Sequence, residues 1–162
     1  MTSLVYRYMR KEDLEIILEI ERSSNPHPWT ERNFQDCLDK DYYCLIQEYE
    51  GEVSGFSIQS INSEESHLLN IGIVENLRRR GLGREILSQV TNVSKVMGSR
   101  RIFLEVRPSN LLAIKLYEQE GFKRLKIRKD YYRLDEGRED ALIMVKKLKK
   151  DIRNFFTGDY FV

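Results

Sequence analysis

The chain has 162 residues, of which 41% are hydrophobic and 33% charged, which fits one globular domain with its own core. Lysine and arginine number 27 against 26 aspartate and glutamate, so the formal net charge is +1. This balance excludes a global electrostatic attraction to nucleic acid or anionic lipid, and any affinity for anions must be local.

The sequence contains no predicted membrane or export segment. No apolar run approaches the roughly 20 residues that span a bilayer, and the opening MTSLVYRYMRKEDLE lacks the apolar core of a signal peptide. We therefore expect a soluble, cytoplasmic protein without a membrane partner. Cys37 and Cys44 have no second cysteine pair or histidine cluster beside them, so we expect ordinary free thiols.

The first half of the chain predicts a strand, two helices and three more strands. Residues 4–8 form the first strand, and the helical period then recurs at Leu14, Ile17, Leu18 and Glu21. Thr30 is the predicted cap of a second helix. The next three strands lie at about 43–46, 53–61 and 67–74 and are joined by short turns, which predicts an antiparallel meander.

The second half alternates strands and helices. The predicted segments are a helix at 83–97, a strand at 102–106, a helix at 109–120, and strands at 122–128 and 141–145. Gly98 and Gly121 are the predicted ends of the two helices. The full order, β-α-α-β-β-β-α-β-α-β-β, is mixed α/β with a strand-helix-strand crossover in its second half.

The segment RRRGLG at residues 78–83 lies between a strand and the first turn of a helix. Unpaired N–H groups and the helix dipole favour an anion there, glycine lets a phosphate approach the backbone, and arginine binds its oxygens in a fork. A Walker loop would need a following Gly-Lys-Ser/Thr, and the dinucleotide fingerprint would need a third glycine. A solvated basic turn is the remaining alternative, which the residues alone do not exclude.

The same segment, preceded by NIGIV at 70–74, resembles the pyrophosphate-binding motif of the GNAT superfamily of acyl-CoA-dependent N-acetyltransferases. The resemblance implies acetyl-CoA as co-substrate and a single mixed, mostly antiparallel sheet flanked by helices, an α/β fold of the α+β type. It implies that the pantetheine arm pairs with the backbone of Ile71, Gly72 and Ile73. It implies that the pyrophosphate binds the loop and helix start, formed by Arg78, Arg79, Arg80, Gly81, Leu82, Gly83 and Arg84.

The likeness covers about residues 3–148 and is greatest to the RimI-type branch of this superfamily, which acetylates the N-terminal alanine of a small-subunit ribosomal protein. It is carried by PW at 28–29, LEVR at 104–107, SN at 109–110, AI at 113–114, LY at 116–117, GF at 121–122, YY at 131–132 and GREDA at 137–141. We predict a catalytic domain at 1–148 and a C-terminal tail at 149–162 of unknown role. The predicted acceptor is the N-terminal α-amine of a peptide or protein, with a ribosomal protein as partner.

Glu105 and Tyr117 are the predicted catalytic residues. An ammonium has no lone pair to attack a thioester, so the acceptor amine needs a base. Glu105 shares a strand face with Phe103 and Arg107; alone it is most simply a surface carboxylate, but the resemblance makes it the base, acting through water. Tyr117 could be a packing aromatic, whereas the resemblance makes its hydroxyl the acid for the departing thiolate. Asn110 is a candidate N-cap, to which the resemblance adds a coenzyme A contact.

Trp29, Tyr131 and Tyr132 are expected in loops, where aromatic side chains either cover a core or bind a ligand. The resemblance places both loops beside the acceptor groove, which makes all three candidate substrate contacts. His27, between two prolines, is expected to be an ordinary loop residue, and we predict no metal ion.

Other functions stay open on the sequence alone. The same fold could acetylate a lysine side chain, a polyamine or an aminoglycoside. It could also bind acyl-CoA without catalysis, although such a module would need neither Glu105 nor Tyr117. The arginine-rich loop and the lysine run at 146–150 could contact RNA, but the net charge of +1 argues against nucleic acid as a direct partner.

Overall fold

The computed structural model describes residues 3–134 and 137–149. The strands are β1 (Leu4–Tyr8), β2 (Tyr43–Tyr49), β3 (Glu52–Asn62), β4 (Glu65–Ile73), β5 (Arg101–Val106), β6 (Lys123–Arg133) and β7 (Arg138–Lys147). The helices are α1 (Leu14–Ser24), α2 (Glu31–Asp39), α3 (Leu82–Val96) and α4 (Leu111–Gln119). The tail predicted at 149–162 lies outside the described residues except for Lys149.

The predicted element order and fold class are confirmed. All seven strands form one sheet in the order β1-β2-β3-β4-β5-β7-β6. β4 and β5 are parallel neighbours joined through α3, and every other pair is antiparallel. The expected crossover is therefore the β4-α3-β5 unit.

Strand β6 is longer than predicted and corrects one expectation. It continues to Arg133, so Tyr131 and Tyr132 lie in a strand and not in a loop. The full length of this strand was not predicted, because its charged sequence KRLKIRKDYYR has no clear alternation of apolar and polar residues. Pairing with β7 holds this segment in the sheet despite an irregularity between Arg128 and Tyr132.

Helices cover both faces of the sheet. Ile46 of β2 packs in an apolar cluster with residues of α1 and α2, whereas the next residue, Gln47, donates to the carbonyl of Leu82 at the start of α3. A second cluster joins α3 and α4 to β4, β5 and β7. None of the helices in the described residues has the length and apolar character needed to cross a bilayer.

Candidate active site

Strands β4 and β5 separate along their length. They pair only over residues 65–68 of β4 and 101–104 of β5, although β4 continues to Ile73. The β3–β4 register shifts at the same point, which leaves Leu69 as the extra residue of a β-bulge. Beyond residue 68, the β5-facing edge of β4 has no strand partner among the described residues, so backbone groups from Asn70 to Ile73 are next to an opening.

Two adjoining cavities lie at this separation, with volumes of about 710 Å³ and 210 Å³. Trp29, Glu105 and Tyr132 line both, so the cavities form one cleft with two compartments. The larger cavity is also lined by His67, Phe103, Leu125, Lys126, Tyr131 and Ile143. The smaller is also lined by Glu21, Asn70, Ile71, Asn110 and Tyr117.

Glu105 faces the cleft because of the simple alternation of β5. Its neighbours Leu104 and Val106 are buried in the core, while the Glu105 side chain is 32% exposed. Arg128 on β6 donates from Nη1 to Glu105 Oε1 at 3.3 Å. A hydrogen bond to the Glu105 carboxylate also raises the pKa of the Tyr131 hydroxyl. The structure therefore places the predicted base on the open face of the sheet, where Arg128 of β6 donates to it.

Helix α4 brings Asn110 and Tyr117 to the smaller cavity. Asn110 is the N-cap, and its Oδ1 accepts from the N–H of Ala113 at 3.3 Å. Tyr117 is buried and its ring lies edge-on to Phe122 at 5.8 Å. Burial raises the pKa of Tyr117 to about 12, so its hydroxyl stays protonated across the physiological range and can donate a hydrogen bond.

The RRRGLG segment leads into the first turn of α3, as predicted. Arg79 and Gly81 have positive φ values of 64° and 81°, and α3 begins at Leu82. The first hydrogen bond of the helix runs from the Glu85 N–H to the Gly81 carbonyl, so the N–H groups just before Glu85 have no intrahelical partner. A helix start of this kind suits an anion. The side chains of Arg79 and Arg80 are exposed and form no ion pair within the described part of the chain.

Arg78, which begins this segment, and Arg84, which directly follows it, are both engaged within the protein. The Arg78 guanidinium donates to the carbonyl of Ile73 at 3.1 Å and to the hydroxyls of Ser23 and Ser24 at 2.8 and 2.9 Å. Arg84 forms an ion pair with Glu120 at 2.8 Å. Arg78 thus joins the end of β4 to the end of α1, and the side chains available for a phosphate are those of Arg79 and Arg80.

The three glycines of the predicted cofactor site have different physical roles. A side chain on Gly72 would lie 2.7 Å from Phe56 and 2.8 Å from Ile20, so internal packing already requires this glycine. An added Cβ on Gly81 would meet nothing within 4 Å, and one on Gly83 only Leu116 at 3.4 Å and Ile73 at 3.9 Å. Packing does not account for Gly81 and Gly83, which keep the surface of the helix start open.

Three aromatic side chains form a wall of the cleft. The Trp29 ring packs on Phe34 with centroids 5.2 Å apart, and it lines both cavities. Tyr131 and Tyr132 meet edge-on at 4.9 Å. The Arg107 guanidinium lies 4.4 Å from the centre of the Tyr132 ring. All three line the larger cavity, although Tyr131 and Tyr132 come from a strand; their contact with a substrate stays a prediction.

A buried carboxylate, Glu21, joins the elements of the smaller cavity and was not predicted as a site residue. It accepts hydrogen bonds from the Asn25 amide at 3.1 Å, the backbone N–H of Trp29 at 3.2 Å and the Asn70 amide at 2.9 Å. It therefore ties the loop that carries Trp29 to the bulged part of β4. The available signal was a glutamate in phase with the apolar positions of α1, where a charge needs partners.

The two cysteines and His27 have no predicted role in catalysis. Cys37 and Cys44 are free and buried, and burial raises the pKa of Cys44 to about 12, which keeps this thiol unreactive. His27 lies in a bend between α1 and α2. Residues 3–134 and 137–149 contain no group of three or more side chains able to hold a metal ion.

Comparison with known proteins places these features in a family. The sequence matches the model of the acetyltransferase (GNAT) family over residues 13–122. The ribosomal protein bS18-alanine N-acetyltransferase of Escherichia coli strain K12 is 36% identical over 132 residues, covering 82% of this chain and 89% of that protein. The crystal structure of the ribosomal-protein-S18-alanine N-acetyltransferase from Escherichia coli superposes with a TM-score of 0.83 and 30% identity, covering 99% of both chains.

A more distant structure shares the fold. Naa50 of Arabidopsis thaliana, solved in complex with the bisubstrate analogue CoA-Ac-MVNAL, matches with a TM-score of 0.78 and 19% identity. The match covers 90% of this chain and 99% of that one.

Proposed function

The chain belongs to the GNAT family of acetyltransferases, and we propose that it transfers the acetyl group of acetyl-CoA to a protein N-terminal α-amine. The proposed acceptor is the N-terminal alanine of ribosomal protein bS18, which the Escherichia coli relatives are named for. We place this activity in the cytoplasm. One observation carries the proposal: Glu105 and Tyr117, from different elements, line one cavity beside the unpaired edge of β4.

The residues around α3 fit the phosphates and arm of acetyl-CoA. The N–H groups at residues 81–84 and the exposed arginines Arg79 and Arg80 would bind the pyrophosphate. The edge of β4 from Ile71 to Ile73 would pair with the amides of the pantetheine arm and direct the thioester into the smaller cavity. In the structure the Ile71 N–H donates to Asn70 Oδ1 at 2.8 Å and the Ile73 carbonyl accepts from Arg78, so the arm would replace the Asn70 contact or use the remaining backbone groups. Asn110 lines that cavity and its Oδ1 already accepts one hydrogen bond as the cap of α4, so its amide nitrogen and the second lone pair of Oδ1 are left for coenzyme A.

Glu105 would take the proton that the acceptor amine loses. The amine nitrogen forms a bond to the acetyl carbon, the carbon–sulfur bond breaks, and the proton passes to Glu105 directly or through water. General-base assistance of this kind contributes about 10² to 10⁴-fold in rate. Because Glu105 lines both cavities, it can face a thioester in the smaller one and an amine arriving through the larger one.

Tyr117 would stabilise the departing thiolate. Its pKa of about 12 exceeds the value of about 8.5 for a free thiol, so full proton transfer from tyrosine to thiolate is uphill. Donation of a strong hydrogen bond to the sulfur needs no such transfer. We therefore assign Tyr117 chiefly the role of hydrogen-bond donor, with the final proton able to come from solvent.

The larger cavity suits an extended peptide end. Trp29, Tyr131 and Tyr132 form its wall near Glu105, and apolar side chains of β4, β5 and β7 continue it. An α-amine has a pKa of about 8 against about 10.4 for lysine. Deprotonation of a chain terminus by a single carboxylate base is therefore less unfavourable than deprotonation of lysine, which favours α-amines over side-chain amines.

A direct assay tests this function. The purified protein is incubated with acetyl-CoA and a peptide that carries the bS18 N-terminal sequence and begins with alanine. Thiol release gives the rate and mass spectrometry locates the acetyl group. The same peptide with a blocked terminus and a free lysine, spermidine and an aminoglycoside are the competing acceptors.

We expect acetylation of the free α-amine and near-inertness of the other acceptors. Faster acetylation of the blocked peptide or of a small amine would refute the N-terminal assignment but keep the transferase activity. Coenzyme A binding without turnover of any acceptor would favour an acyl-CoA-binding module.

A further inference from the structure

Arg128, Tyr131 and Glu105 form a group on the β6 side of the cleft. Arg128 Nη1 lies 3.3 Å from Glu105 Oε1. The Arg128 guanidinium carbon lies 4.7 Å from the centre of the Tyr131 ring, and the nearby Glu105 carboxylate raises the pKa of the Tyr131 hydroxyl. Glu105 and Tyr131 therefore both lie against the Arg128 guanidinium.

An irregularity in β6 creates this group. β6 pairs with β7 at Arg128 opposite Ala141 and again at Tyr132 opposite Glu139, so residues 129–131 stand opposite Asp140 alone. In a regular strand, residues three apart point to opposite faces of the sheet. The added residues allow Arg128 and Tyr131 to reach the same carboxylate.

Asp140 stabilises that irregularity. Asp130 has a φ of +53°, and its backbone N–H donates to Asp140 Oδ1 at 3.0 Å. Lys129 lies 3.5 Å from Asp140 Oδ2. These contacts belong to the described residues of β6 and β7, so the strands themselves hold the group beside Glu105.

We propose that Arg128 is a positioning residue for Glu105 in the transfer reaction. The guanidinium holds Oε1 on the β6 side, which leaves the other carboxylate oxygen to face the acceptor amine. Arg128 contacts the base but lines neither cavity, so it acts through Glu105 and not by binding the peptide. A carboxylate on an exposed strand face would otherwise rotate among several orientations, and small errors in the placement of a reacting group reduce rate strongly. The inference rests on the proposed function, because it takes Glu105 as the base.

The test substitutes Arg128→Met, which keeps the length of the side chain but removes its charge and donors. We expect kcat for the alanine peptide to fall about 10-fold while KM for peptide and for acetyl-CoA changes less than about two-fold. Arg128→Lys keeps the charge but loses the planar guanidinium, so its kcat should lie between those of the wild type and Arg128→Met.

Arg124→Met is the matched control. Arg124 lies on the same strand and pairs with Glu118 at 3.0 Å, and its side chain is 62% exposed against 58% for Arg128. Its partner lies on α4 and lines neither cavity. We expect wild-type kinetics from this variant.

A double-mutant cycle separates positioning from other roles. If Arg128 acts only through the base, adding Arg128→Met to Glu105→Gln should change kcat by less than about two-fold. An undiminished 10-fold loss in the Glu105→Gln background, unchanged kcat in the single variant, or a raised peptide KM at constant kcat would each overturn the proposal. Full activity of Glu105→Gln alone would instead refute the base assignment on which it rests.

Discussion

Glu105 and Tyr117 line the same cavity of about 210 Å³, one from the second-to-last residue of β5 and the other from α4. The β5–α4 connection brings them together, because Asn110 caps the helix directly after the loop that follows β5. Their environments differ, since Glu105 also faces the larger cavity and Tyr117 is buried against Phe122. The pair thus offers an accessible proton acceptor on the amine side and a shielded donor on the thioester side.

Replacing Glu105 by glutamine should lower kcat about 10² to 10⁴-fold, because the isosteric amide cannot accept the amine proton. Acetyl-CoA affinity should stay near the wild-type value, measured by calorimetry. The residual rate should rise with pH as more of the peptide amine becomes neutral. Glu118→Gln on α4 is the control and should keep full activity, whereas wild-type turnover of Glu105→Gln at neutral pH would place the base elsewhere.

Replacing Tyr117 by phenylalanine should reduce kcat and leave the fold intact, because the ring contact with Phe122 is kept. Single-turnover kinetics with acetyl-CoA and the alanine peptide give the rate. Tyr43→Phe is the matched control, because that hydroxyl contacts Met97 and Tyr43 lines neither cavity of the cleft. Equal losses in both variants would contradict a specific role for Tyr117.

The pKa of Tyr117 predicts a difference in alkaline stability between wild type and Tyr117→Phe. Burial raises this pKa from 10.0 to about 12, so the folded state retains a proton that the unfolded chain loses. The resulting stabilisation is complete below pH 10 and disappears as the pH rises toward 12, an effect of roughly 2 kcal/mol. Urea unfolding at a series of pH values should show the wild type losing stability more steeply than the variant, and parallel curves would contradict the prediction.

The local conformation of several candidate site residues could be predicted from nearby sequence, whereas their roles came from the family resemblance. Strand alternation puts Glu105 on the face opposite Leu104, and the position of RRRGLG before an apolar helical repeat predicts an anion site at the start of α3. The N-cap role of Asn110 follows from its residue type and place in the chain. In each case the neighbours that decide the conformation lie within a few residues in sequence.

The features that the sequence did not predict depend on contacts between distant segments. Glu21 and Asn70 are hydrogen-bonded across 49 residues of sequence, and Arg78 reaches Ser23 across 55. The strand that carries Tyr131 depends on its pairing with β7. The need for glycine at position 72 comes from Phe56 and Ile20. No pattern within one segment determines such packing.

Substituting Gly81 by glutamate should abolish the rise in melting temperature that coenzyme A produces. The φ of +81° makes any side chain unfavourable there by about 1 kcal/mol, and the new carboxylate would repel the pyrophosphate. Gly98→Glu is a matched control at the other end of α3, because Gly98 has a φ of +86° and equally open surroundings. Both variants should lose stability, but only Gly98→Glu should keep the coenzyme A shift in differential scanning fluorimetry. A wild-type rise in melting temperature with coenzyme A in Gly81→Glu would show that the pyrophosphate does not bind this loop.

Two substitutions of Tyr131 should separate the work of its hydroxyl from that of its ring. Tyr131→Phe removes the hydroxyl whose pKa the nearby Glu105 carboxylate raises but keeps the aromatic surface of the larger cavity, so we expect a several-fold lower kcat with little change in peptide KM. Tyr131→Ala also removes the ring, which should raise peptide KM about 10-fold, in the range of a lost aromatic contact at a binding surface. Neither change should alter KM for acetyl-CoA, because Tyr131 does not line the smaller cavity.

The control is Tyr8→Ala. Tyr8 is an exposed tyrosine on β1 at the opposite edge of the sheet, and this variant should have wild-type kinetics. Initial rates measured over a range of both substrate concentrations give these constants. An unchanged peptide KM in Tyr131→Ala would show that the acceptor peptide does not bind against Tyr131.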